Sequence, residues 1–212
     1  MRKSLVWIVT FLPSCAFADD VIIAALGDSL TQGYGLVQEQ GFVPQLQTWL
    51  DENGVGARLI NAGVSGDTTA GGLSRVEWTL TPEVDALIVS LGGNDVLRGL
   101  DPAVSRANLD GILKVAQAAE VEVLLVGLDA PGNYGPAYKA SFDAIFPELA
   151  SQYGVLLADN FFAGLGEAGN DLAAARIYMQ PDGIHPNAEG VAKIVSALGP
   201  KVALLAQRAD PS

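Results

Sequence analysis

The sequence holds one histidine and one cysteine among 212 residues, and its 12 basic residues face 24 acidic ones. Each scarcity excludes something. A single cysteine, Cys15, cannot form a disulfide within the chain, and one histidine cannot anchor a typical zinc site of nitrogen and sulfur ligands. The formal net charge of −12 repels nucleic acid and anionic membranes at long range, so neither is expected as a partner. Apolar runs are short as well. The one at residues 5–17 is about a dozen residues long, below the roughly 20 that a membrane span needs. No stable membrane insertion is expected.

That first run has another reading. Arg2 and Lys3 form a basic start, and Ala16-Phe17-Ala18 is an A-x-A cleavage signal before Asp19. Residues 1–18 therefore read as a secretory signal, cut after Ala18, with residues 19–212 as one mature domain, periplasmic or secreted. Leu12-Pro13-Ser14-Cys15 is similar to a lipobox, which would instead attach lipid at Cys15, although Pro13 fits that pattern poorly. Cleavage removes the cysteine and two positive charges, taking the formal charge from −12 to −14. Such an acid excess serves solubility.

What the chain does have is alternation. Apolar runs of strand length recur at residues 21–26, 58–61, 86–91, 121–128 and 155–158. Between them Phe42, Leu46, Trp49 and Leu50 share one helix face, stopped by Asn53-Gly54. Leu109, Ile112, Leu113 and Ala116 mark a second helix, with Asp101 as N-cap and Pro102 at its first position. Phe142, Ile145, Phe146, Leu149 and Tyr153 mark a third, kinked or broken by Pro147. Val191, Ile194, Val195 and Leu198 mark the last, capped by Asn187 and interrupted by Gly199-Pro200. Strands alternating with helices, the strands apolar nearly throughout, predict an α/β fold with a doubly wound parallel sheet. In such a fold the ligand crevice lies at the carboxyl ends of the strands.

Four polar stretches fall at those ends or just before the last helix: Gly27-Asp28-Ser29-Leu30, NAGVSGDTTAGG at 61–72, GGNDVLRG at 92–99 and PDGIHPN at 181–187. Serine is a weak nucleophile until a base takes its proton, and His185 is the sole histidine available. Asp182, three residues earlier, can accept a hydrogen bond from its Nδ1 and fix the tautomer. A tetrahedral intermediate also needs donors, each worth about 2.7–4 kcal/mol. Candidates are the N–H groups of Ser29 and Gly66 and the side-chain amide of Asn94. Asp28 reads as an acceptor that fixes the turn.

In order and spacing, GDSL at 27–30, Gly66 within GDT, GGND at 92–95 and DGIHPN at 182–187 resemble the four blocks of the SGNH (GDSL) hydrolases. The longer matches NAGVSGDTTAGG, GGNDVLRGL and APGNYGPAY are similar to the bacterial periplasmic thioesterase I, lysophospholipase and arylesterase group. The resemblance implies a three-layer α/β/α, flavodoxin-like fold of five parallel strands. It implies a Ser29–His185–Asp182 triad and an oxyanion hole of Ser29, Gly66 and Asn94. It further implies that the loops 95–100 and 130–138 border the acyl pocket, with Val96, Leu97, Ala130, Pro131 and Tyr134 as candidate substrate contacts. Members of the thioesterase type often have leucine where this chain has Ala130, which argues against a long acyl groove. Tyr134 would stack on an aryl ring or cover the core.

The expected activity is that of a serine esterase on short-to-medium acyl esters. The alternative is an acyl-CoA thioesterase or lysophospholipase with the same site. The expected partner is a small-molecule ester, with no cofactor, no metal and no obligate protein partner. Three rivals carry less. Asp28, Asp95 and Asp182 could hold Mg²⁺ or Ca²⁺. A phosphate-binding protein is the second, but GDSLTQGYG lacks the lysine of a phosphate loop. A non-catalytic periplasmic binding domain would not need the Ser, Asp and His together.

Overall fold

The computed structural model describes residues 20–169 and 176–210. The expected leader, its cleavage site and Cys15 lie outside the described residues. Five strands, β1 (Val21–Gly27), β2 (Ala57–Gly63), β3 (Ala86–Ser90), β4 (Glu122–Val126) and β5 (Leu156–Ala158), form one sheet in the order β2-β1-β3-β4-β5. Every neighbouring pair is parallel. Parallel strands need crossovers, and here helices supply them. On one face α2 (Phe42–Glu52) packs against α8 (Ala188–Ala209), and on the other α3 (Thr69–Thr79), α5 (Pro102–Ala118) and α7 (Ile145–Tyr153) lie side by side. The result is the three-layer α/β/α fold of flavodoxin-like strand order.

The strand bodies are as apolar as the alternation predicts in the middle of the sheet. β3 is buried at all five positions and β1 at all but Ile22. β2 departs from that pattern, since only Ala57 is buried along it. It is an edge strand. Its outer backbone is bonded by the Gln47 amide, which donates to Ala57 O at 2.8 Å and accepts from Leu59 N at 2.8 Å. A side chain thus closes an edge that would otherwise invite another strand.

Two helices differ from the sequence reading. The third apolar stretch is two helices, α6 (Pro136–Asp143) and α7, hinged at Ala144. Pro147 sits in the first turn of α7, where its missing N–H has no helical partner to lose. The final helix is not interrupted at Gly199-Pro200: α8 runs unbroken for 22 residues. A mid-helix proline costs about 3 kcal/mol. Beyond it Val202 and Leu205 are buried at 1% and 0% exposure, each worth about 1.5–3 kcal/mol, so continuing the helix wins. Gly199 lies against Trp49, where any side chain would overlap the indole.

Register levels the strand ends. Gly27 pairs with Gly63 on one side and Ser90 on the other, so the loops after β1, β2 and β3 leave the sheet together. Between β1 and β3 the chain changes direction across the sheet, and the crevice opens there.

Candidate active site

The chain turns sharply after β1. Asp28 caps α1 (Ser29–Gln32), its Oδ1 accepting from Leu30 N at 3.0 Å, and Gly33 in the left-handed region ends the helix after one turn. Ser29 therefore stands at a helix start beyond the carboxyl end of a central strand. His185 arrives from the loop before α8. Asp182 Oδ1 accepts the backbone N–H of Ile184 at 2.9 Å and of His185 at 3.0 Å, winding the loop about its own carboxylate. Asn187 then caps α8 by accepting from Gly190 N at 3.0 Å and anchors the loop by donating to Ile177 O at 2.8 Å.

These turns bring three side chains into line. Ser29 Oγ lies 2.8 Å from His185 Nε2, and His185 Nδ1 lies 2.7 Å from Asp182 Oδ2. With Nδ1–H donating to a carboxylate, Nε2 is left as the acceptor for the serine hydroxyl. The His185 amide, followed by its ring and the Ile184 amide, holds the Asp182 carboxyl down at about 2, against the opposing effect of burial. It is ionised wherever such a relay would operate. A serine, an imidazole and a carboxylate so connected can pass a proton away from the serine as it attacks.

The two other donor candidates lie in the turns after β2 and β3. Gly66 has φ +82°, a conformation that disfavours any side chain, and its carbonyl accepts from Arg98 Nη2 at 2.7 Å. Asn94 lies in the first turn of α4 (Gly93–Leu97), its Nδ2 contacting Asp28 Oδ2 at 3.3 Å. An amide has two N–H donors, so one remains for a ligand. Burial pushes the Asp28 carboxyl up to about 6, helped by nearby Asp67 and opposed by the Leu30 and Asn94 bonds and by His185.

Sequence reasoning missed the groups that hold these loops. Asp95, fully buried, accepts from Thr69 N at 2.9 Å, Thr69 Oγ1 at 2.5 Å and Ser105 Oγ at 3.0 Å, tying α4 to α3 and α5. Arg75 bonds Asp67 at 2.7 Å, Ala62 O at 2.7 Å and Gly27 O at 2.8 Å, lacing the ends of β1 and β2. Asp95 had one visible signal, an acid inside a short loop next to Asn94; Arg75 had none. Asp28, Asp95 and Asp182 thus sit in three separate bonding settings, and among the described residues no three His, Cys, Asp or Glu converge on a metal-sized site.

Beside Ser29 opens a recess of about 160 Å³ with mostly apolar walls, including Leu30, Val96, Leu97, Leu128, Pro131 and Ile184. Ala130 and Tyr134, expected at the acyl pocket, lie outside this lining. Ala130 is buried, its N–H donating to Asp143 Oδ1 at 2.8 Å and its carbonyl accepting from Lys139 Nζ at 2.8 Å, which fastens it to α6. The Tyr134 ring packs on Tyr138 at 4.9 Å between centroids, over Gly99. The argument from a small residue at 130 therefore loses its footing. Two larger grooves of about 580 Å³ lie off this recess, one between α1, α2 and β2, the other between α2 and α8.

Known proteins share this arrangement of chain. Residues 25–193 match the GDSL-like Lipase/Acylhydrolase family. The Esterase TesA of Pseudomonas aeruginosa is 41% identical over 165 residues, covering 77% of this chain and 79% of the relative. The Thioesterase 1/protease 1/lysophospholipase L1 of Escherichia coli is 37% identical over 174 residues, 81% of this chain and 77% of the relative. Among solved structures, AlinE4, a SGNH-hydrolase family esterase, superposes with a TM-score of 0.71 at 43% identity, covering 87% of this chain and 96% of that one.

Proposed function

This chain belongs to the GDSL-like lipase/acylhydrolase family and is a carboxylic ester hydrolase, and we propose that it is a serine esterase acting on short-to-medium acyl esters. Ser29 is the nucleophile, His185 the general base and Asp182 the acid that orients it. The observation that carries this reading is the unbroken line of contacts, 2.8 Å from Ser29 to His185 and 2.7 Å from His185 to Asp182.

Ser29 Oγ attacks the acyl carbon while its proton passes to His185 Nε2, and the carbonyl electron pair moves onto oxygen. The N–H groups of Ser29 and Gly66 and the free N–H of Asn94 receive that oxyanion. Collapse breaks the bond to the alcohol, which leaves with the proton from Nε2. Water then attacks the acyl-Ser29 ester, its proton going to His185, and the second collapse releases the acid and restores the serine. Asp182 stabilises the imidazolium in both halves.

The size of the recess supports a short acyl group. An apolar cavity of about 150 Å³ takes a molecule the size of benzene, so about 160 Å³ suits a butyryl-sized group. A thioesterase or lysophospholipase reading is favoured by the name of the E. coli relative, and the same steps would serve it. With a leader over residues 1–18, the mature domain 19–212 works in the periplasm or outside the cell, away from cytoplasmic CoA. The test is kcat/KM for p-nitrophenyl butyrate against palmitoyl-CoA at two salt concentrations. The reading predicts the higher value for the ester at both. A higher value for palmitoyl-CoA at both moves the assignment to thioesterase.

A further inference from the structure

We propose that Tyr34 is a positioning residue for the base, its ring covering the His185 imidazole and steadying the imidazolium formed when Ser29 gives up its proton. The inference rests on the serine-esterase reading above. The two ring centroids are 4.7 Å apart with planes tilted by 39°. A cation within about 6 Å of an aromatic face is attracted by the ring quadrupole. The charged groups acting on the imidazole are Asp182 at Nδ1, on its own loop, and Asp28, on the turn before α1. Tyr34 adds a third, uncharged influence, and it reaches a ring face that neither carboxylate covers by hydrogen bonding.

The tyrosine is held there from two sides. Its backbone N–H donates to Ser29 O at 3.1 Å, so it moves with the nucleophile. Gln180 joins it to the histidine loop: one Nε2 group donates to Tyr34 O at 2.8 Å and Pro186 O at 3.0 Å, and the Gln180 N–H donates to His185 O at 2.7 Å. Gly35, at φ +75°, leaves room for the Gln180 amide, which a Cβ there would overlap. Four backbone or amide bonds thus converge on placing an aromatic residue that is itself 51% exposed. Burial does not account for that expenditure, because half of the residue's surface still faces water. The His185 side chain beneath it is only 15% exposed.

Two substitutions separate a ring face from mere cover. Tyr34→Phe keeps the face, whereas Tyr34→Leu keeps an apolar lid without it. With p-nitrophenyl butyrate, Tyr34→Phe should match the wild type. Tyr34→Leu should lose about threefold to thirtyfold in kcat, with KM little changed. The loss should fall on kcat, because the ring contacts the imidazolium that forms only as Ser29 gives up its proton. Tyr34→Met repeats the test should the leucine variant fail to fold. An apolar variant with the wild-type kcat, or one that loses through KM instead, overturns the inference, as does a phenylalanine variant as impaired as the leucine one. If Ser29→Ala stays active, the serine-esterase reading has failed instead, which keeps the two failures distinct.

Discussion

Residues 86–89 of β3 read Ala-Leu-Ile-Val, none more than 1% exposed; one step further, Ser90, 2% exposed, is buried too and is polar. That step separates two regions built on different physics. In the strand bodies burial is apolar, non-directional and tolerant of which hydrocarbon fills the space. At the carboxyl edge it is polar. The buried polar residues Asp28, Thr31, Thr69, Ser90, Asp95 and Ser105 all lie in loops at this edge, at a strand end, or in the first turns packed on them. Thr31 Oγ1 and Ser90 Oγ have no protein hydrogen-bond partner among the described residues. The body is held by apolar packing, and the edge by directional hydrogen bonds such as those of Asp28, Asp95 and Asp182.

If the two regions differ in this way, substitutions should separate turnover from stability. The largest effect belongs to the relay. Ser29→Ala or His185→Ala should lower kcat by about 10⁴–10⁶, the double variant losing no more than either single one, because the residues act as a unit. Circular dichroism should show the fold retained in all three. A double variant that loses the product of the single losses would break the unit apart.

Next comes the body. Leu87→Ala removes a fully buried side chain in β3 and should cost about 2–5 kcal/mol in urea unfolding while leaving kcat/KM of the folded enzyme unchanged. Asn94→Ala should do the reverse, lowering kcat about 10²–10³-fold with KM and Tm nearly constant. Lost stability with normal turnover would show that Asn94 only shapes its turn.

The smallest effect sharpens the comparison at Asp28. Its folded-state value of about 6 lies above the ordinary 3.8, so its contribution to stability is full below about pH 4 and is lost as pH rises to about 6. Asp28→Asn should remove that loss. The variant should be more stable than the wild type at pH 7, by at most about 3 kcal/mol, and the gap should close by pH 4. A gap that does not change with pH would show that the carboxyl titrates normally in the folded chain.

The body and the relay were legible in the sequence for the same reason: their signals are local. Continuous apolar runs gave the central strands, and Asp182 can reach His185 because only three residues separate them. The Asp101 and Asn187 caps were equally local, each accepting from an amide two or three residues on. What depended on distant partners was not legible. Gln180 meets Tyr34 across 146 residues and Arg75 meets Gly27 across 48, with no spacing rule to announce either. The passage of α8 through Pro200 turned on the burial of Val202 and Leu205 against the rest of the fold, which outweighs a local rule. β2 looked like a buried strand because its pattern cannot say which strand will lie at the edge. The family resemblance put the loop of Ala130 and Tyr134 at the acyl pocket, and contacts with α6 draw both away from the recess.

The most direct test of the account is labelling with a fluorophosphonate, with the modified peptide identified by mass spectrometry. Phosphonylation needs a serine that its base has activated, so it reads the relay itself and no particular substrate. The account predicts one adduct, on Ser29, formed quickly by the wild type and lost in His185→Ala. An esterase-active protein that takes no label, or that carries it on another serine, would contradict the account.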